Sequence, residues 1–182
     1  FRNRGNTYRR LGQAQEARGV DGRPSYRSAI ADRSGALDLK SNDAETYQER
    51  GWDYLYLGRA DKERGPDPRQ SFIAALADFE RCVETRPEDA VGYNSRGCAY
   101  AVLGEAQADR GEDPRENYER AIADYGVATR IDAKYKWSWS NLGLAHLYLG
   151  QAQAARGLDP CERYRKAISE YERAIDLDTS FV

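Results

Sequence analysis

Leu57-Gly58-Arg59-Ala60-Asp61-Lys62-Glu63-Arg64-Gly65-Pro66-Asp67-Pro68 sets the architecture of the whole chain, because versions of it occur four times at one spacing. Leu11-Gly12, Leu57-Gly58, Leu103-Gly104 and Leu149-Gly150 are 46 residues apart, and Arg18-Gly19, Arg64-Gly65, Arg110-Gly111 and Arg156-Gly157 keep the same interval. The 182 residues are therefore an array of one unit, with four copies where a stacked core needs about three. The expected boundaries are 1–43, 44–89, 90–135 and 136–182, in a single array spanning 1–182.

Aligned on that period, Phe1, Tyr47, Tyr93 and Trp139 share one position, Gly5, Gly51, Gly97 and Gly143 follow four residues later, and Tyr8, Tyr54, Tyr100 and His146 come next. Aromatic, glycine, aromatic and leucine at offsets of 0, 4, 7 and 10 make one face of a helix, with glycine where a neighbouring helix comes close. This helix A is expected to run from about Ala44 to Arg64 in copy two. Arg-Gly closes it, since glycine reaches the left-handed conformation and arginine complements the negative helix end. Asp67-Pro68-Arg69-Gln70 then opens helix B with an aspartate cap, a proline at the first helical position and a residue that can reach back as in a capping box. Asp113-Pro114-Arg115-Glu116 and Asp159-Pro160-Cys161-Glu162 repeat the signal. Copy one reads Asp21-Gly22-Arg23-Pro24, and its second helix is expected to begin late or fray.

Helix B carries Phe72, Ala75, Leu76, Phe79, Cys82 and Val83 in copy two, and Tyr118, Ala121, Ile122, Tyr125, Ala128 and Thr129 in copy three, each an i, i+3, i+4, i+7 stripe that buries one side. Arg33 stands where copies two and three have Phe79 and Tyr125, a sign that the first unit is irregular. The stripe ends at Arg86-Pro87, because the residue before proline is pushed out of the helical region. The link from A to B is so short that the two must be antiparallel neighbours. The fold class is all-α: a solenoid of four antiparallel helix hairpins.

Tyr47, Gly51, Tyr54, Ala75, Phe79, Cys82 and Pro87 in copy two, with their counterparts, resemble the tetratricopeptide repeat. The resemblance implies a right-handed superhelix whose concave groove, lined by helix A, binds proteins or peptides. The usual repeat is about 34 residues; here the extra twelve fall between Tyr54 and Ala75 and lengthen both helices at the hairpin tip. Ala14, Ala60, Ala106 and Ala152 recur within that extension, either as close helix contacts or as exposed helix formers. The usual leucine of helix A is replaced by Arg4, Arg50 and Arg96, and kept only at Leu142.

Groove positions implied by the resemblance differ from copy to copy while framework positions repeat. They are Arg2, Asn6, Arg9 and Arg10 in copy one; Glu45, Gln48, Trp52, Leu55 and Tyr56 in copy two; Val91, Asn94, Cys98, Ala101 and Val102 in copy three; and Trp137, Ser140, Leu144, Leu147 and Tyr148 in copy four. Asn6, Arg9, Arg10, Gln48, Trp52, Tyr56, Asn94, Trp137 and Tyr148 are the candidate ligand contacts, large aromatics being typical anchors. A matching ligand is an extended or helical segment with an acidic part near copy one and apolar anchors further on. The family's terminal-carboxylate clamp does not carry over, because Glu49, Val91 and Ser95 stand where it needs Asn, Lys and Arg.

Other function classes fare poorly. With 28 basic and 30 acidic residues the net charge is −2, no footprint for nucleic acid or an anionic membrane, although the first 46 residues carry +3 and the next 46 carry −3. No apolar run spans a bilayer, and no signal peptide is seen. The absent initiator methionine points to a fragment of a longer protein, with a cytoplasmic location expected. Cys82, Cys98 and Cys161 form neither a C-x-x-C pair nor a repeated position, so no zinc site and no other cofactor is indicated. His146, the sole histidine, occupies a tyrosine position and is expected to be a buried, hydrogen-bonded ring, and helix periodicity turns it away from Cys98. A non-catalytic binding scaffold is the expected role. The alternative is a structural spacer or rod that associates through its uncapped ends, since Tyr164, Ile168, Tyr171 and Ile175 have no following repeat to cover them.

Overall fold

The computed structural model describes residues 1–178. Among these there are eight helices and no strand: α1 (Arg2–Glu16), α2 (Arg23–Leu39), α3 (Ala44–Arg64), α4 (Arg69–Thr85), α5 (Ala90–Ala108), α6 (Arg115–Ile131), α7 (Lys136–Ala154) and α8 (Cys161–Leu177). They fall into two compact units, Phe1–Pro87 with α1 to α4 and Glu88–Val182 with α5 to α8, the second described as far as Asp178. Each unit is two hairpins in sequence, A helix then B helix, with the second A helix packed on the first B helix.

Helix A of copy two has the expected bounds, and at 21 residues is roughly 31 Å long. Each tip turns on a glycine with positive φ, Gly19, Gly65, Gly111 or Gly157. Two closures are used. At Gly19 the Val20 N–H donates to the Gln15 carbonyl (2.9 Å) and the Gly19 N–H to Glu16 (2.9 Å), the paired bonds of a Schellman motif, and Glu112 and Leu158 donate likewise to Gln107 and Gln153 (both 3.0 Å). Copy two has Pro66 where the others have Val20, Glu112 and Leu158. Proline has no N–H, so the longer bond cannot form, and the tip closes on one bond from Gly65 to the Asp61 carbonyl (2.9 Å).

The B helices begin one residue after the prolines, which are already helical; Pro68 has φ −76° and ψ −12°. Asp67, Asp113 and Asp159 still cap them, accepting the N–H of Arg69 (3.1 Å), Arg115 (3.1 Å) and Cys161 (2.9 Å). The reach back of a capping box is absent in copies three and four: Glu116 and Glu162 pair forward with Arg120 (2.6 Å) and Lys166 (3.0 Å). Copy one corrects a second expectation, because α2 starts in the regular register at Arg23. Gly22 adopts the proline's conformation (φ −84°, ψ −10°), Asp21 accepts the Arg23 N–H at 3.0 Å, and Glu16 accepts the Gly22 N–H at 2.6 Å. Pro24 sits in the first turn, where its missing N–H is not needed.

Glycine against aromatic holds each hairpin together. A methyl group on Gly51 would lie 2.6 Å from the Phe79 ring, on Gly97 2.7 Å from Tyr125, and on Gly143 3.0 Å from Tyr171. The same contact recurs two turns along at the second glycine of each A helix: Gly12 against Tyr26, Gly58 against Phe72, Gly104 against Tyr118 and Gly150 against Tyr164. The extension is thus built by repeating the contact that defines the shorter hairpin. Ala60, Ala106 and Ala152 within it are buried, and Ala14 is exposed.

Arg4, Arg50 and Arg96 also have a purpose in the hairpin. Each guanidinium grips the carboxylate 28 residues on, Asp32 (Nε to Oδ2 2.7 Å), Asp78 (2.8 Å) and Asp124 (2.7 Å), with a second parallel bond from Nη2. Copy four replaces both partners, with Leu142 buried and Glu170 at the acidic position. Among the described residues no helix is long and apolar enough to cross a membrane.

Candidate functional site

Each unit holds a recess on its A helices, at the level of the extension. In the first, Tyr56 of α3 stacks on Tyr26 of α2, ring centroids 5.7 Å apart and 17° between planes. The pair floors a cavity of about 240 Å³ walled by Gln13 and Glu16 of α1 and by Arg59, Ala60 and Glu63 of α3. In the second unit Tyr148 of α7 lies on Tyr118 of α6, again at 5.7 Å, beneath a cavity of about 370 Å³ lined by Glu112, Pro114, Gln151, Ala152 and Arg156 among others. Burial pushes the Tyr26 hydroxyl up to about 12 and raises Tyr118 further, so both floors are neutral phenols. The two recesses use residues one double period apart.

The other candidates are distributed differently. Trp52 is half-buried, tilted 39° to Tyr56 at 6.4 Å and edge-on to Phe79 at 5.8 Å. Gln48 Oε1 lies 3.6 Å from the Cys82 thiol, which is buried where other copies have alanine. Trp137 is 52 % exposed with the Lys136 ammonium over its ring, and lies eleven residues, roughly 16 Å, along α7 from Tyr148. Arg10 is exposed. Three groove positions lie inside, Val102 among them. Leu55 is fully enclosed, and Asn94 is buried, its Oδ1 accepting from Asn141 (3.0 Å) and Ser138 (3.4 Å).

Copy one's basic groove is neutralised by copy two. Arg9 Nε is 3.1 Å from Asp53 Oδ1, and Arg33 Nε is 2.9 Å from Asp53 Oδ2. Asn6 Oδ1 accepts from Nη2 of both Arg9 (2.9 Å) and Arg33 (2.7 Å). Arg2 pairs with Glu45, and Glu49 is 3.6 Å from Arg33 Nε. Asn6 and Arg9 are therefore committed to an internal network rather than to an acidic ligand. Burial drives the Asp53 carboxyl up to about 7 against the pull of Arg9 and Arg33, and lowers Arg33. Arg33 itself fills the place of Phe79 and Tyr125, against Gly5. The irregularity of copy one is thus a polar replacement for an aromatic contact.

His146 is buried as expected but is not hydrogen-bonded at Nδ1. Burial, reinforced by Arg163 and Lys166, pulls it down to about 4. The Cys98 thiol meets the Tyr125 hydroxyl (3.4 Å) and Asn141 (3.7 Å). Among the described residues no group of His, Cys, Asp and Glu could hold a metal ion.

The stacked partners Tyr26 and Tyr118, and the Arg33–Asp53 pair, were not singled out as site residues from sequence. Signals for both exist: an aromatic recurs opposite every second glycine, and Arg33 and Asp53 are polar exceptions in adjacent copies.

No protein-family model matches the chain, and no curated protein matches it. Solved structures do. TTC0263, a thermophilic TPR protein of Thermus thermophilus, is 19 % identical over 97 % of this chain and 93 % of that chain, with a TM-score of 0.53. The second TPR of Spaghetti (RPAP3), bound to an HSP90 peptide, is 18 % identical over 79 % of this chain and 99 % of that chain, with a TM-score of 0.48. YrrB, a TPR protein with an unusual peptide-binding site, is 17 % identical over 96 % and 86 %, with a TM-score of 0.43.

Proposed function

We propose that this chain, which has the tetratricopeptide-repeat fold, is a non-catalytic protein- or peptide-binding scaffold. Each unit takes one large apolar side chain of an extended or helical segment into its tyrosine-floored recess. The observation that carries this reading is the recurrence of the recess: Tyr56 on Tyr26 and Tyr148 on Tyr118, at the same level in both units. Cavities of about 240 and 370 Å³ suit a side chain better than a whole cofactor. Their rims mix charges, Glu16, Arg59 and Glu63 in one and Glu112 and Arg156 in the other, which suits a polar backbone flanked by an apolar anchor.

A peptide array followed by fluorescence titration of the best binder tests this. Tyr148→Ala and Tyr56→Ala are expected to weaken binding by about 2 kcal/mol or more, and Tyr148→Phe to retain most of it. Thermal melts run beside the titrations separate binding from folding. Alanine variants that melt early yet bind normally would show that these rings serve packing alone.

A further inference from the structure

The two recesses share a floor and differ in their walls. Each is built by three helices of one unit: α1, α2 and α3 in the first, α5, α6 and α7 in the second. One double period on, Glu16, Arg59 and Glu63 of the first recess become Ala108, Gln151 and Ala155 of the second. Three charged side chains give way to two methyl groups and a neutral amide, and the cavity widens from about 240 to about 370 Å³. The stacked tyrosines are the same in both, so charge and width of the wall are what distinguish the two.

The wall charges of the first recess are in two different situations. Glu16 is used inside the protein: one oxygen accepts the Gly22 N–H at 2.6 Å, and the other lies 3.1 Å from Arg64 Nη2. Arg59 and Glu63 are exposed and, among the described residues, have no hydrogen-bond or ion-pair partner. They sit one turn apart on α3, about 6 Å along its axis, with the cation N-terminal to the anion, the less favourable order for pairing along a helix. Each keeps its charge for what enters the recess. Burial raises the Tyr26 hydroxyl, and the Glu16 and Glu63 carboxylates add to the rise, so the Glu63 charge is felt at the floor. In the second recess the charged wall groups are already matched, Glu112 by Arg110 at 2.7 Å and Arg156 by Asp113 at 3.5 Å.

We propose, on the footing that the recesses are anchor pockets, that the first one selects a peptide segment by the order of its charges. An apolar anchor lies over the Tyr26 and Tyr56 stack, an acidic residue on one side of it meets Arg59, and a basic residue on the other side meets Glu63. A segment bound in one direction satisfies both charges, and the same segment with its charges exchanged meets two like charges. The second recess, wider and with its charges matched, accepts anchors without regard to that order.

Four pools of short peptides, each with one central phenylalanine, test this. The residues flanking the anchor are Asp then Lys, Lys then Asp, Asp on both sides, or Lys on both sides. Binding to the 182-residue chain is read as the part that Tyr56→Ala removes, which leaves out peptides held by the second recess. At low salt the chain is expected to favour one mixed pool over the other by about tenfold, and the preference shrinks at high salt. Arg59→Glu, checked for helix content by circular dichroism, moves the preference to the pool with two lysines, and Glu63→Arg moves it to the pool with two aspartates. Equal binding of the two mixed pools that still depends on Tyr56 overturns the charge-order proposal and leaves the anchor pocket standing. Binding indifferent to Tyr56→Ala, or no binding of any pool, removes both.

Discussion

At Gly97 the Tyr125 ring fills the space a side chain would take, 2.7 Å from where a Cβ would stand, and Tyr125 is itself enclosed and cannot swing aside. Gly97→Leu is therefore expected to destabilise by about 1 to 3 kcal/mol, read as a lower urea midpoint at unchanged slope. A higher midpoint, the direction helix propensity alone gives, would put this position against solvent. This contact was legible in the sequence, since glycine follows the aromatic by four residues in every copy. Arg33 was legible only as an anomaly. A buried guanidinium is tolerated when it is paired, and its partners Asp53 and Asn6 come from two other helices, so the fold was needed to bring them together. The Arg4, Arg50 and Arg96 forks could have been read by comparing copies, because arginine and the aspartate 28 residues on disappear together in copy four.

For a single helix, the ends were better specified than the faces. Asp67 caps α4 through the Arg69 N–H and also pairs with the Arg69 guanidinium at 2.7 Å. Asp67→Ala is expected to cost about 1 kcal/mol, with faster amide exchange confined to the first turn of α4; unchanged exchange there would remove the cap from the account. Pro66 likewise predicts which tips can close with two bonds, a distinction visible in the sequence once the rule is applied. The faces were harder. An A helix that follows another hairpin is buried on two sides, by its own B helix and by the preceding one, as α3 is by α4 and α2. Only a narrow strip stays open, and the resemblance assigned Leu55, Asn94 and Val102 to it although all three lie inside.

Across the described residues, two of the buried titrating groups, Asp53 and His146, act in opposite senses. Asp53, facing Arg9 on α1, Arg33 on α2 and Glu49 on its own helix, is raised to about 7, so the folded first unit holds its proton longer than the unfolded chain does. The stability it contributes is full below pH ~4 and is lost as pH rises through ~7. His146, facing Arg163, Lys166 and Glu162 of α8, is lowered to about 4, so the folded second unit refuses a proton the unfolded chain accepts. Its contribution is present above pH ~6.5 and is lost as pH falls through ~4. Hydrogen exchange, corrected for intrinsic rates, is expected to show α3 losing protection and α7 gaining it between pH 5 and 7. Protection moving in one direction in both helices would contradict the assignment. The four-hairpin architecture was legible because it is repeated, and the burial of His146 because it breaks a tyrosine position; the charges that face Asp53 and His146 come largely from other helices and needed the fold to bring them together.

The spacing of the glycine contacts sets a rule for length. Gly51 and Gly58 are seven residues apart on α3, and their partners Phe79 and Phe72 are seven apart on α4. A seven-residue interval falls about 20° short of two full turns of an α-helix, so helices that keep it must wind gently around each other to stay in contact. Hairpin length is then quantised. Adding one such interval to each helix adds about fourteen residues, two more than the twelve by which this repeat exceeds the usual ~34, while an increment of four or five would rotate the next glycine away from its ring. Engineered hairpins of this type should tolerate growth or shortening in steps of seven per helix, and lose their order at lengths in between.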